Sequence, residues 1–353
     1  MGTPLAAGGA ERQQWLLARL LAATGWSVKI GVRESLAPGE RCVIDGVEFV
    51  GISRGQILLA WYRFLASERP DWWYWRAAYH LWGPAVAITT LVGVHTIFAA
   101  AFDSDVHPRR ALAWRPRWWP LYAWGLSHTD RIFVQHGGQL AELASSWRSK
   151  ASIVPSIASG VADVKPHAER AQYVAWVGML RQPKRPDLLI EVARKAPAIH
   201  FVVCGAPSAH RSAPGYGERI VEELHTLPNV KYLGQVESER AQQVIADAAM
   251  LFSTSDTEGF PNTFLQAWSS GTPVVSLHID PDRIIEQVGL GRVSVHVEGA
   301  IAAIKTLMHS PQQREEIAAR ARRHVATAHS EAAVIAAFEH AIQSSGIHHR
   351  CGY

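Results

Sequence analysis

The stretch that decides the reading is MLFSTSDTEGFPNTFLQAWSSGTPVVSL, from Met250 to Leu277. An apolar run, Met250 to Ser253, enters a polar loop holding Gly259 and Pro261. A short helical segment from Asn262 to Ser270 follows, then Gly271 and a second apolar run, Pro273 to Leu277. Strand, loop, helix, strand is the repeating unit of a parallel sheet. Pro261 suits the first turn of the helix, where a missing N–H costs nothing, and Gly271 suits its end. The loop therefore aims the first N–H groups of a helix beyond the strand ends, where a phosphate is held. Glu258, just before the helix, and Gln266, inside it, can flank one ligand with hydrogen-bonding side chains.

Upstream, the alternation restarts at Tyr173 with the strand YVAWV and Gly178. An amphipathic helix from Leu188 to Ala196, a strand Ile199 to Gly205, a helix near Gly217 to Leu227, a strand Val230 to Gly234 and a helix from Glu239 follow. This order predicts a parallel sheet with ligands at its strand ends. The loop Gly178 to Arg185 carries Arg181, Lys184 and Arg185. A leaving diphosphate gains negative charge as its bond breaks, so cations placed there stabilise the transition state more than the ground state. Solvated loop charges are the competing reading of the same residues.

The segment Glu258-Gly-Phe-Pro-Asn262, the polar residue eight positions after Glu258, and Gly271-Thr-Pro-Val-Val275 resemble the donor loop of the retaining glycosyltransferases of family 4, which have the GT-B fold. The resemblance implies two Rossmann-like domains facing across a cleft, with a C-terminal helix crossing back to the first. It implies that Glu258 orients the donor sugar and that Lys184, with Arg181 or Arg185, holds the diphosphate beside the Gly259, Phe260, Pro261, Asn262 and Thr263 backbone. Gln266 would touch the ribose, where the family usually has a second glutamate, and Met179 stands where it usually has arginine. The glycine pair before a helix at Gly8-Gly9 resembles the family's phosphate loop, with Gly9 against the donor. Only seven residues precede Gly8, so the first strand is expected to be short or missing and the true start to lie upstream.

On this basis the expected boundaries are an acceptor-side domain over 1–160, a linker over 161–172, a nucleotide-sugar domain over 173–329 and a C-terminal helix and tail over 330–353. The expected reaction is transfer of a hexosyl group, with retention and without metal or other cofactor, from a nucleotide-sugar to a glycan or lipid-linked acceptor in cell-surface polysaccharide or glycolipid synthesis. A sugar-nucleotide epimerase of the same fold and a non-catalytic, membrane-associated partner protein remain as alternatives.

The rest of the sequence sets limits. A hydrophobic content of 48% with 19% charged residues suits a soluble α/β protein. Cys42, Cys204 and Cys351 are too few and too scattered for a disulfide framework or a zinc site, which fits a reducing, cytoplasmic setting. A formal charge of +4 favours anionic partners without singling out nucleic acid. Nine of fourteen tryptophans fall between Trp61 and Trp124, and within that region 107–120 interleaves four arginines with three tryptophans. That Arg109–Trp119 segment reads equally as a peripheral membrane surface or as an ordinary loop, with nucleic acid well behind. Asp103-Ser104-Asp105 has the spacing of a metal-binding pair, but the expectation is acceptor contact or loop structure, with no metal.

Overall fold

The structure, a computed structural model, describes residues 8–161 and 163–343. The described residues divide into two compact units. An N-terminal unit comprises 8–157 with 331–343, and a C-terminal unit comprises 158–330. The segment Met1 to Ala7, where the short or missing first strand was expected, and the tail after Gln343 lie outside the described residues.

In the N-terminal unit, α1 (Gly9–Ala23) precedes β1 (Lys29–Val32), β2 (Arg41–Ile44), β3 (Val47–Gly51), α2 (Ile57–Glu68) and β4 (Trp72–Arg76). Next come α3 (Trp82–Val92), β5 (His95–Ala99), α4 (Pro108–Ala111), α5 (Trp119–His128), β6 (Arg131–Val134), α6 (Gly137–Glu142), α7 (Ser145–Arg148) and β7 (Ala151–Ile153). These strands form two separate sheets, β1-β3-β2 and the all-parallel β4-β5-β6-β7. The hairpin of β2 and β3 turns at Asp45 and Gly46, both at positive φ. The sequence reading overlooked β2, although Asp-Gly between apolar runs is a strong hairpin signal.

Side-chain alternation explains both layers on the second sheet. Trp73, Trp75, Phe98, Ile132 and Val134 pack on one face with Trp61 of α2, Val86 of α3 and Leu126 of α5. Trp72, Tyr74, Ile97, Ala99 and Phe133 pack on the other with Leu17 and Leu21 of α1 and with the last helix. That helix ends the described chain as part of the N-terminal unit, its Phe338 ring edge-on to Trp26 and Phe133. Among the described residues no backbone ladder joins the two sheets. Side chains bridge them through α2, whose Trp61 packs on the second sheet while its Glu68 bonds Lys29 of β1 and Arg41 of β2 in the first.

The C-terminal unit contains β8 (Ala171–Val177), α8 (Pro186–Lys195), β9 (Phe201–Cys204), α9 (Tyr216–His225), β10 (Val230–Tyr232), α10 (Ser238–Asp247) and β11 (Ala248–Ser253). It continues with α11 (Asn262–Ser269), β12 (Val274–Ser276), α12 (Ile284–Gln287), β13 (Gly291–Val293), α13 (Val297–Met308) and α14 (Pro311–Ala328), and α15 (Glu331–Gln343) is the helix returned to the N-terminal unit. All six strands are parallel, in the order β10-β9-β8-β11-β12-β13. Numbered from the first strand of the unit this is 3-2-1-4-5-6, the doubly wound nucleotide-binding order. Trp176, Met250 and Phe252 face one helical layer, and Ala175 and Leu251 the other.

The segment 161–172 was read as a linker from its small and charged residues, yet its C-terminal half is packed. His167 bonds the Gly271 carbonyl, and the Arg170 guanidinium donates to the Thr272 hydroxyl and the Ser270 carbonyl. Buried charge needs such partners, so this segment is fixed to the end of α11.

Candidate functional site

In the order 3-2-1-4-5-6 the strand order, not the strand direction, reverses between β8 and β11, and in such sheets ligands bind beyond the carboxyl ends of the strands at that switch point. The two loops singled out in the sequence leave those two strands side by side. Loop 178–185 follows β8, and loop 254–261 follows β11. They are stitched together. The Trp176 indole donates to Thr254 Oγ1 at 2.9 Å, Thr254 donates to the Lys184 carbonyl at 2.6 Å, and the Asp256 amide donates to the Pro183 carbonyl at 3.0 Å.

Across this seam Lys184 Nζ donates to Glu258 Oε1, with both side chains largely buried. The two residues chosen from the sequence for opposite ends of one ligand thus meet directly, 74 positions apart. The two arginines beside them differ. Arg185, at positive φ, is bound on both sides: Nη2 reaches Asp187 at 2.8 Å and Nη1 reaches Asp256 at 3.2 Å. Asp187 in turn accepts from the Tyr216 hydroxyl at 2.8 Å. Arg181 is half-buried, and its Nε has no hydrogen-bond partner among the described residues. Burial pulls its ionisation below the usual arginine range, with the Glu258 charge opposing that pull and Arg211 adding to it. A guanidinium in that setting keeps hydrogen-bond donors that the described residues do not use.

The helix begins at Asn262, as the sequence reading has it, and only the place of Pro261 differs. Pro261 is the N-cap of α11, not a residue of its first turn, and Asn262 is the first helical residue. Proline fits there because its own N–H is not required, while its carbonyl accepts the Phe264 amide at 3.0 Å. The Thr263 amide bonds no group among the described residues, as expected of an orphan donor in the first turn. Phe260 is buried edge-on against Trp268 and lies 4.8 Å from the His329 ring, so it anchors the loop. Gln266 is mostly buried on α11, and its amide has no protein partner among the described residues. Gly259 lies between Glu258 and Phe260 in the same loop.

The remaining sequence candidates belong to the N-terminal unit. Gly9 is the first residue of α1. Asp103 is 48% exposed and accepts from Gln139 Nε2 and pairs with His136 Nε2, both at 3.0 Å. Asp105 is only 1% exposed, and its carboxylate accepts the Ala101 and Phe102 amides at 2.8 and 3.0 Å. The two carboxylates have different settings, because Asp105 is buried with its Oδ2 holding the loop while Asp103 is half exposed. Sequence reasoning missed Asp187, Tyr216 and Asp256, which immobilise Arg185, and the Trp176-Thr254-Lys184 chain. The only local signal was the Arg-Pro-Asp spacing at 185–187.

Comparison with known proteins places this geometry. The family model described as Glycosyl transferases group 1 matches residues 162–324. A D-inositol 3-phosphate glycosyltransferase of Mycolicibacterium smegmatis is 25% identical over 278 residues, covering 74% of this chain and 62% of that protein. Another, from Mycobacterium sp. strain JLS, is 32% identical over 108 residues, 30% of this chain and 25% of the relative. The chain therefore spans less than two thirds of the length of these curated relatives. Among solved structures, sucrose-phosphate synthase from Thermosynechococcus elongatus superposes with a TM-score of 0.77 at 15% identity, covering 96% of this chain and 94% of that one. Anabaena HepE in complex with UDP and glucose gives 0.73 at 12% identity, covering 98% and 97%. These likenesses establish the α/β fold with its parallel sheets as GT-B. The donor loop, the basic loop and the doubly wound sheet all lie inside residues 162–324, so it is this part of a GT-B-fold chain that matches the group 1 glycosyltransferases.

Proposed function

We propose that this protein transfers a hexosyl group, with retention and without a metal, from a nucleoside-diphosphate sugar to a glycan or lipid-linked acceptor. The observation that carries the reading is the meeting of Lys184 and Glu258 beside the unpartnered Arg181 at the switch point. In the proposed complex Lys184 turns from Glu258 to the diphosphate. Arg181 and the Thr263 amide receive the charge that grows on the leaving phosphate, and Glu258, released, accepts from the sugar hydroxyls. Gln266 is assigned to the ribose. Gly9, in the other unit, is assigned to the phosphates and Asp103 to the acceptor. The leaving phosphate takes the acceptor proton, so no protein base is assigned. The HepE complex with UDP and glucose supports the donor class by analogy of fold.

The test is binding of uridine, guanosine and adenosine diphosphates, and of their sugars, to wild type, Lys184→Ala and Glu258→Ala. Loss of a charge-assisted contact predicts about ten- to a hundred-fold weaker diphosphate binding for Lys184→Ala. Glu258→Ala frees the lysine and should bind the diphosphate at least as well as wild type while losing transfer. Folded protein that binds none of the nucleotides would overturn the reading. Turnover of the sugar-nucleotide without an acceptor would move it to the epimerase.

A further inference from the structure

The aromatic, arginine-rich region of the N-terminal unit separates into a packed half and an outward half. Trp61 and Trp82 are core, whereas Trp114 is 58% and Trp124 41% exposed. α3 packs against both α2 and α5, so the three helices form one layer over the sheet. Each helix turns large apolar side chains outward: Leu58, Leu59 and Tyr62 from α2, Leu91, 80% exposed, from α3, and Trp124 from α5. The layer is about 16 Å long along α3 at 1.5 Å per residue. Beside it, 109–117 carries Arg109, Arg110, Arg115 and Arg117, none of which pairs with a carboxylate among the described residues, the nearby Glu142 being held by His107. From 72 to 129 there are five arginines and only two carboxylates, Asp103 and Asp105, both already bonded within the unit. Arg109 lies over the Trp119 ring and Arg115 over the Trp114 ring, each guanidinium 4.7 Å from the ring centroid.

We infer that this outer face of α2, α3 and α5, with the 109–117 loop, seats the protein on a membrane surface bearing anionic headgroups. Arginine meets lipid phosphate while indole and leucine side chains enter the headgroup and upper acyl layer. Charge complementarity selects this occupant. A second copy would set the same arginines against one another across a two-fold axis. A single-stranded nucleic acid needs bare indole faces for its bases, but Arg115 and His80 crowd Trp114 and His128 stacks on Trp124 at 4.2 Å. No helix among the described residues is long and apolar enough to cross a membrane, so the contact is with a surface. The inference does not depend on which sugar is transferred.

The experiment is flotation of the full chain with vesicles of phosphatidylcholine alone and with about 30% phosphatidylglycerol added, a content that gives a strongly negative surface. Binding to the anionic vesicles only, weakened by salt, is expected. The variants Arg110→Gln and Arg117→Gln should each weaken it about five-fold, and the double variant Trp114→Ser with Trp124→Ser should abolish retention at moderate salt. Nucleotide binding by the C-terminal unit, and an unchanged circular dichroism spectrum, verify that each variant is folded. No flotation with either vesicle, equal flotation with both, folded variants that float like wild type, or self-association lost in the double variant without vesicle binding would each overturn it.

Discussion

At the scale of single residues, the site turns on which charges already have partners. Sequence could offer Arg181 and Arg185 as equals, because both lie within one loop of basic residues. Partners decide between them, and these are tertiary: Asp187 and Asp256 hold Arg185, the latter 71 positions away. Arg181→Met should weaken nucleoside diphosphate binding by about ten-fold or more, the worth of one charge-assisted contact. Arg185→Met should leave that affinity within about two-fold and cost up to about 1 kcal/mol of stability, as partly exposed ion pairs do. Calorimetric titration with the preferred diphosphate, together with urea unfolding, separates the two. The reverse ranking would mean that Arg185 leaves its carboxylates on binding. Lys184 and Glu258 could be chosen as candidates because each lies in a short motif. Their mutual bond was not, since no local pattern records that two loops touch.

Among the elements, the turn out of α11 bears the sharpest constraint. Gly271 has φ +68°, and a Cβ there would lie 2.2 Å from Arg322 Nη1 and 2.9 Å from the Ala318 Cβ. The arginine can swing away, but the Ala318 methyl sits on α14 and cannot without moving the helix. Gly271→Ala is therefore expected to destabilise the C-terminal unit by about 1–3 kcal/mol, combining left-handed strain with overpacking. A midpoint in urea unchanged from wild type would show that α14 gives way more easily than its packing implies. Sequence served well here: strand periodicity, Gly271 as a helix stop and the order of strands and helices were all visible. It placed Pro261 one residue too far into the helix, because proline is admitted both at the cap and in the first turn. It passed over β2 because Arg41 to Ile44 is too short and exposed to give a hydrophobic period. The sequence bias toward tryptophan was plain, but which rings face outward depends on how α2, α3 and α5 lie together.

For the molecule as a whole, acid sensitivity should centre on the C-terminal unit. His167, 1% exposed, holds the Gly271 carbonyl at 2.8 Å, and burial lowers its ionisation from 6.5 to about 4, with Arg170 adding to the effect. Burial lowers that of His324 in the same direction. A histidine held neutral in the fold takes up its proton more readily once unfolded. The stability it contributes is therefore complete above 6.5 and is lost as pH falls from 6.5 toward about 4. The melting temperature of wild type should drop across that window, and His167→Gln, which keeps a donor toward Gly271, should drop less. Parallel curves for the two proteins would exclude His167 as the cause. The N-terminal unit has a different weakness. A hydrogen-bonded ladder resists shear because its bonds lock in register, whereas side-chain contacts can slide. Among the described residues the β1-β3-β2 plate and the β4-β5-β6-β7 plate share no ladder, so side-chain contacts carry the load between them. Val28, which packs with the cores on both plates, and the Glu68 ion pairs are among those contacts, and a load across them is borne by packing and charge.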